Sequence, residues 1–166
     1  MKKILSLVLV VLMATTVSAK KYQHSIGMVA GLGIGAQYKA MLTDHFTLIL
    51  EEGYFMNLNG GTEGGAYAGA VTNGVFAYQS KITEGQGIQL DYYAGGQMKI
   101  GYVGMQGFDV GVFGISGAVG LEANMVNAPI AFSFDFRPGY AFLFTGQGAG
   151  GHMFDYSFNL GVRYTF

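Results

Sequence analysis

Three histidines, ten acidic side chains and nine basic ones are the groups in this 166-residue chain that could move protons or hold a metal, and there is no cysteine. The most suggestive spacing is His152, Asp155 and Ser157. A base, an orienting acid and a hydroxyl are the parts of an acyl-transfer site. At a two-residue period, however, His152 has the opposite parity to Asp155 and Ser157. The latter two point the same way at successively deeper levels, and no nucleophile motif accompanies them. His152 therefore reads as an interfacial histidine, and no catalytic residue is assigned. His24 and His45 fall at strand ends. No histidine or acid cluster has metal-ligand spacing, so neither metal nor cofactor is expected. Gly31-Leu32-Gly33-Ile34-Gly35 has the look of a phosphate loop but lacks the following helix and lysine; it reads as a tight hairpin.

The other charged groups acquire meaning from the strands that carry them. Phe154, Tyr156, Phe158, Leu160, Val162, Tyr164 and Phe166 alternate with Met153, Asp155, Ser157, Asn159, Gly161, Arg163 and Thr165. That is period two, the signature of a strand with one apolar face. Ile130, Phe132, Phe134 and Phe136, then Tyr140, Phe142 and Phe144, repeat the pattern against Ala131, Ser133, Asp135, Arg137, Gly139 and Ala141. Strands this long, with small residues and isolated charges on the polar face, do not fit a water-exposed sandwich. They fit a barrel whose apolar faces meet lipid and whose polar faces line a cramped lumen.

Composition agrees. Hydrophobic residues make up 51% of the chain and charged ones 11%, with 28 Gly, 13 Phe and 11 Tyr. The aromatic content excludes a disordered linker, and two prolines without a Gly-X-Y period exclude collagen. After residue 19 no apolar run is long enough for a membrane helix. No basic patch supports nucleic-acid binding. Met1-Lys2-Lys3, the apolar Ile4 to Met13 and the small residues Val17-Ser18-Ala19 predict an export signal over residues 1–19, leaving 20–166 as one barrel domain.

Turn signals predict eight strands: His24–Ala30, Ile34–Met41, Phe46–Asn57, Ala66–Lys81, Ile88–Tyr102, Asp109–Ala123, Pro129–Phe144 and His152–Phe166. An even number puts both termini on one side, expected to be periplasmic. The fold class is thus all-β, an eight-stranded antiparallel up-and-down transmembrane barrel. Alternation then turns Lys39, Glu51, Asp91, Lys99, Glu122, Asp135, Arg137, Asp155 and Arg163 inward. Charges in so narrow a lumen are expected to pair and plug it, with Arg137 and Arg163 sharing Asp135, Glu122 or both. Inward Gly27, Gly95, Gly101, Gly120 and Gly161 are expected to leave room for the long cationic stems.

Three stretches carry a resemblance. They are Gly117-Ala118-Val119-Gly120-Leu121-Glu122, Pro129-Ile130-Ala131-Phe132-Ser133-Phe134-Asp135-Phe136-Arg137-Pro138, and Leu160-Gly161-Val162-Arg163-Tyr164-Thr165-Phe166. Through them the chain resembles the small eight-stranded outer-membrane barrels, the OmpX-like and OmpA-transmembrane-like group. The resemblance implies a fold, the Gram-negative outer membrane with its lipopolysaccharide, and no established activity. It also implies that Phe166, with Tyr164 two residues before it, serves as the recognition signal for the barrel-assembly machinery. Glu52 departs from the pattern. Strict alternation places it on the lipid face, so a β-bulge at Glu51-Glu52 is expected to turn both carboxylates inward.

The function expected from these features is a non-enzymatic, side-chain-plugged barrel with a structural or loop-mediated envelope role. Its small-molecule ligand, if any, is not legible. Two alternatives stand beside it: a barrel that modifies lipid A from a rim histidine, and a small pore.

Overall fold

The computed structural model describes residues 22–31, 33–57, 67–85, 87–105, 108–146 and 148–166. The segment expected to be an export signal lies outside the described residues, as do Leu32 and 58–65 between expected strands and Ala66, the expected start of the fourth strand. Eight strands follow in chain order: β1 His24–Ala30, β2 Ile34–Met41, β3 Phe46–Asn57, β4 Tyr67–Glu84, β5 Ile88–Met105, β6 Phe108–Met125, β7 Ile130–Thr145 and β8 Gly148–Thr165. Each pairs antiparallel with the next, and β1 pairs with β8, so the sheet is a closed barrel. No described residue is helical.

The strands β4, β5, β6 and β8 run further than the turn signals suggest, while β7 keeps its expected length, shifted by one residue. Gly104, Gly148 and Gly150 look like loop residues in the sequence but lie within strands. Closing a barrel leaves each ladder hydrogen bond a partner on both sides, and that outweighs the weak strand preference of glycine.

Both described chain ends sit at one end of the barrel, where His24 N donates to Phe166 O at 3.0 Å and Phe166 N donates to His24 O at 2.8 Å. The short connections Leu42–His45 and 126–129 lie at this turn end, as do Gly85 and Gly87 between β4 and β5. Thr43 Oγ1 accepts from the backbone of His45 and Phe46 at 3.2 and 3.1 Å, fixing the β2–β3 turn. Gly87 sits at φ 120°, a conformation that side chains resist, and closes the β4–β5 turn. The described ends of β1, β3, β5 and β7, at Ala30, Asn57, Met105 and Thr145, lie at the opposite, loop end.

The apolar face of each strand points away from the lumen. Leu160 is 62% exposed and Tyr54 65%, whereas Arg163 is 1% exposed and Lys39 and Glu122 are fully buried. This inversion of the soluble pattern is what a lipid environment selects. Tyr54, Tyr102, Tyr140 and Tyr156 mark the outer wall toward the loop end, and His24, Tyr38, Phe46, Tyr78 and Phe166 mark it toward the turn end. The lumen is not uniformly polar. Ile49, Val75, Ala77, Tyr93 and Ala118 form a small apolar cluster on the inner wall of β3 to β6.

The bulge expected at Glu51-Glu52 is absent. Register is regular on both sides, with Glu51 opposite Gln37 and Asn73, and Glu52 opposite Ala36 and Thr72. Glu51 points inward and is 4% exposed. Glu52 stands exposed on the outer wall, where the Thr72 hydroxyl donates to its carboxylate. A hydroxyl partner on the next strand, together with unbroken pairing on two flanks, offsets the cost of leaving the charge on the outer face. The irregularities of pairing lie elsewhere, between Lys81 and Thr83 and between Leu143 and Phe144.

Candidate functional site: the charged lumen

The nine inward charged residues occupy three tiers, two of them built across strands that face one another. In a ring of eight, β2 faces β6 and β3 faces β7. Strand tilt in such a barrel, typically about 35–45°, brings residues of very different sequence position to one level.

The tier nearest the turn end is built on Glu122 of β6. Its Oε2 accepts from Lys39 Nζ of β2 at 2.6 Å and from the guanidinium of Arg163 on β8. Its Oε1 accepts from the Tyr22 hydroxyl and from the side-chain amides of Gln79 and Asn124, at 3.2 and 3.3 Å. Arg163 also donates to Ser133 Oγ at 3.1 Å and to Gln37 Oε1. Asp91 lies directly opposite Glu122 in the β5–β6 register. Two carboxylates so placed repel. The amides of Gln79 and Asn124 donate to both, each 3.0 Å from Asp91 Oδ2, and Gln89 adds a third amide to Asp91 at 2.8 Å. Tyr22 precedes β1 and closes this end. Burial pushes its hydroxyl well above the ordinary range, and the Glu122 carboxylate adds to the effect, so it remains a donor.

The middle tier is a fork. Arg137 of β7 donates Nε and Nη2 to Asp135 at 2.7 and 2.8 Å, and Nη1 and Nη2 to Glu51 of β3 at 2.6 and 2.7 Å. Planar guanidinium matches carboxylate in this bidentate way, and lysine could not. The Tyr93 hydroxyl donates to Asp135 Oδ2 at 2.6 Å, and Asn159 Nδ2 donates to Asp135 Oδ1 at 2.8 Å. Tyr93 fits because Gly120 faces it: a Cβ there would stand 2.5 Å from Tyr93 Cζ. The glycines differ in role. Gly161 makes room for Arg163 and Ser133, whereas a Cβ at Gly27, Gly95 or Gly101 would strike the backbone of the neighbouring strand.

Toward the loop end a single pair, Lys99 of β5 and Asp155 of β8, bridges the lumen, with side chains 15% and 16% exposed. Arg137 and Arg163 do not share a carboxylate: Arg163 takes Glu122, and Arg137 takes Asp135 and Glu51.

The histidines stay apart from these tiers. His24 packs on Tyr38 and Phe166, and the Tyr38 hydroxyl lies 2.8 Å from its Nδ1. His45 stacks on Tyr78. His152 pairs in register with Phe142 on the outer wall, while Asp155 is engaged with Lys99 in the lumen and Ser157 Oγ accepts from Asn159. No three His, Cys, Asp or Glu side chains among the described residues come together as a metal site.

Several residues of the tiers were not singled out by charge: Tyr22, Gln37, Gln79, Tyr93 and Asn124. Gln37 and Asn124 share the inward parity of Lys39 and Glu122, which was signal enough to find them, whereas Gln79 lies on β4, where no inward charge is expected, and shares the parity of the buried Val75 and Ala77. Tyr93 shares the parity of Asp91, but an aromatic side chain in such a barrel ordinarily argues for the outer face.

With the geometry in hand, the class is plain: this is an eight-stranded up-and-down barrel of the outer-membrane type. No protein-family model matches the chain, and no curated protein matches it. Among solved structures it is similar to Ail, the attachment invasion locus protein of Yersinia pestis, at 14% identity and a TM-score of 0.35. It is also similar to Neisserial surface protein A, at 11% identity and a TM-score of 0.46. Each match covers 86% of this chain and 93% of the other.

Proposed function

We propose that this chain is a non-enzymatic barrel of the Gram-negative outer membrane, closed along its axis by its own charged side chains, with its loop end outward and its termini in the periplasm. The observation that carries the proposal is the pair of ion bridges spanning facing strands, Lys39 to Glu122 and Arg137 to Glu51. Each fills the lumen from wall to wall, where an interior of this strand number has room for side chains and little else. The barrel presents its apolar wall to lipid and lipopolysaccharide and its loops to envelope partners.

The separation of His152 from Asp155 and Ser157 supports a non-enzymatic reading. A general base must lie within hydrogen-bond reach of the group it activates, and these side chains occupy opposite faces of β8. The outward Tyr164 and Phe166, at the strand that closes the barrel, suit a signal read by the barrel-assembly machinery. Mass spectra of lipid A from cells with and without overexpressed protein test the proposal. Identical spectra are expected; a new deacylated or acylated species that disappears with His152→Ala would replace it with a lipid-modifying enzyme.

A further inference from the structure

Glu52 is a carboxylate on a wall otherwise built for hydrocarbon. It lies two residues from Tyr54 on the same face, so about 5 Å beneath the tyrosine level once strand tilt is allowed for. Toward the turn end its neighbours on β3 are Leu50, Leu48 and Phe46. Thr72 stands opposite it on β4 and spends its single proton on Glu52 Oε2. Across the other flank is Ala36, and Ala70 and Gly74 border Thr72 on the same face. The result is a shallow notch, with small side chains across the strands and Leu50 and Tyr54 along β3, where the carboxylate offers hydrogen-bond acceptors and the Thr72 proton is already committed.

Charge narrows what could fill it. Beyond Lys21 the basic residues of the chain are Lys39, Lys81, Lys99, Arg137 and Arg163. Four lie in the lumen, and Lys81 is paired with Glu84 at the turn end. Among the described residues a second copy therefore has no lysine or arginine to set against Glu52, and the described wall has none to hold a phosphate beside it. At this depth, just under the tyrosine level, a glycerophospholipid presents ester carbonyls, which are acceptors like the notch itself. An N-acylated, hydroxylated glycolipid presents amide N–H and hydroxyl donors where its acyl chains join the sugar.

We infer that the Glu52–Thr72 notch is a docking site for such a glycolipid, lipopolysaccharide through its lipid A, recognised by amide and hydroxyl donors rather than by phosphate. The inference rests on the outer-membrane reading above and deepens it.

The test is native mass spectrometry of the purified, folded full chain in detergent with equal amounts of lipid A, phosphatidylglycerol and phosphatidylethanolamine. Glu52→Leu removes the acceptor and keeps the barrel foldable, since an apolar residue on this face suits lipid better than a charge. Retained lipid A relative to phosphatidylglycerol is expected to fall about tenfold, the worth of a hydrogen bond to a charged acceptor. Thr72→Val, which leaves the carboxylate, is expected to lose less. An unchanged ratio in Glu52→Leu overturns the inference. So does a Glu52-dependent preference for phosphatidylethanolamine, which would mark an ammonium site, or a Glu52-dependent dimer. Membrane fractionation of the unaltered protein separates the two levels: absence from the outer membrane would defeat the underlying reading, whereas its presence there with an unchanged lipid ratio defeats the notch alone.

Discussion

Arg137 grips Glu51 from the opposite wall of the barrel: two nitrogens meet two carboxylate oxygens at 2.6 and 2.7 Å, and the same guanidinium holds Asp135 on its own strand. Both ends of the Glu51 bridge are nearly inaccessible, at 2% and 3% side-chain exposure. A buried bridge adds little over an apolar pair, but removing one partner leaves a charge with nothing to meet it.

Arg137→Gln is therefore expected to lower unfolding free energy by about 3–5 kcal/mol, because Glu51 and Asp135 both lose their cation. Arg137→Lys should recover part of this, since lysine restores charge without the fork. Denaturant titration followed by gel shift measures both. An Arg137→Gln midpoint equal to that of the unaltered protein would show that the bridge contributes nothing.

Glu122 and Asp91 face each other across one rung but carry unequal weight. Glu122→Gln strands Lys39 and Arg163 and is expected to cost about 3–5 kcal/mol. Asp91→Asn removes a like-charge opposition from a residue that meets only amides, and should change stability by less than about 1 kcal/mol. The same unfolding assay decides. Equal losses would mean that Asp91 anchors the tier as strongly as Glu122.

Much of this architecture is legible in the sequence because a barrel reduces to period two. Phe154 to Phe166 and Ile130 to Phe144 announce the wall, and their partners announce the lumen; Lys39, Arg163 and the rest stand inside on parity alone. What alternation does not encode is tilt. The contact of Lys39 with Glu122, 83 positions away in sequence, depends on how far each strand is staggered against the next. No local pattern records that stagger. Parity also gave the correct face for Glu52, and only the expectation that a charge avoids lipid argued for a bulge. The energetic rule was right about the cost and wrong about the remedy, because Thr72 supplies a partner from the neighbouring strand. Tyr93 was lost for the mirror-image reason: its ring belongs to the wall by type but lies in the lumen by parity, with Lys39 Nζ 5.6 Å from its centroid.

Gly120 is expected to tolerate no side chain. In Gly120→Ala the new methyl meets Tyr93 Cζ and Asp135 Cβ, and overpacking of this kind costs about 1–3 kcal/mol. Combining it with Tyr93→Leu should recover part of the loss, a non-additivity that marks direct contact. Thermal unfolding of the two single variants and the double variant reads the coupling. Strict additivity would place the strain elsewhere.

Phe166 joins the closing seam through its backbone, so Phe166→Ala separates the side chain from the pairing with His24. Outer-membrane yield is expected to fall sharply, while refolding of the purified barrel in detergent changes little. Membrane fractionation measures the first and gel-shift refolding the second. Equal losses in both would assign the side chain to stability, and an undiminished yield would dispose of the assembly signal.

The central claim is that the lumen is closed by its own charges. Planar-bilayer recording of the purified, folded protein tests it most directly. A silent baseline is predicted, because the tiers of Glu122, Arg137 and Lys99 each cross the path an ion would take. Steady unitary current steps, reproducible between preparations and altered by Arg137→Gln, would contradict it and make the barrel a pore.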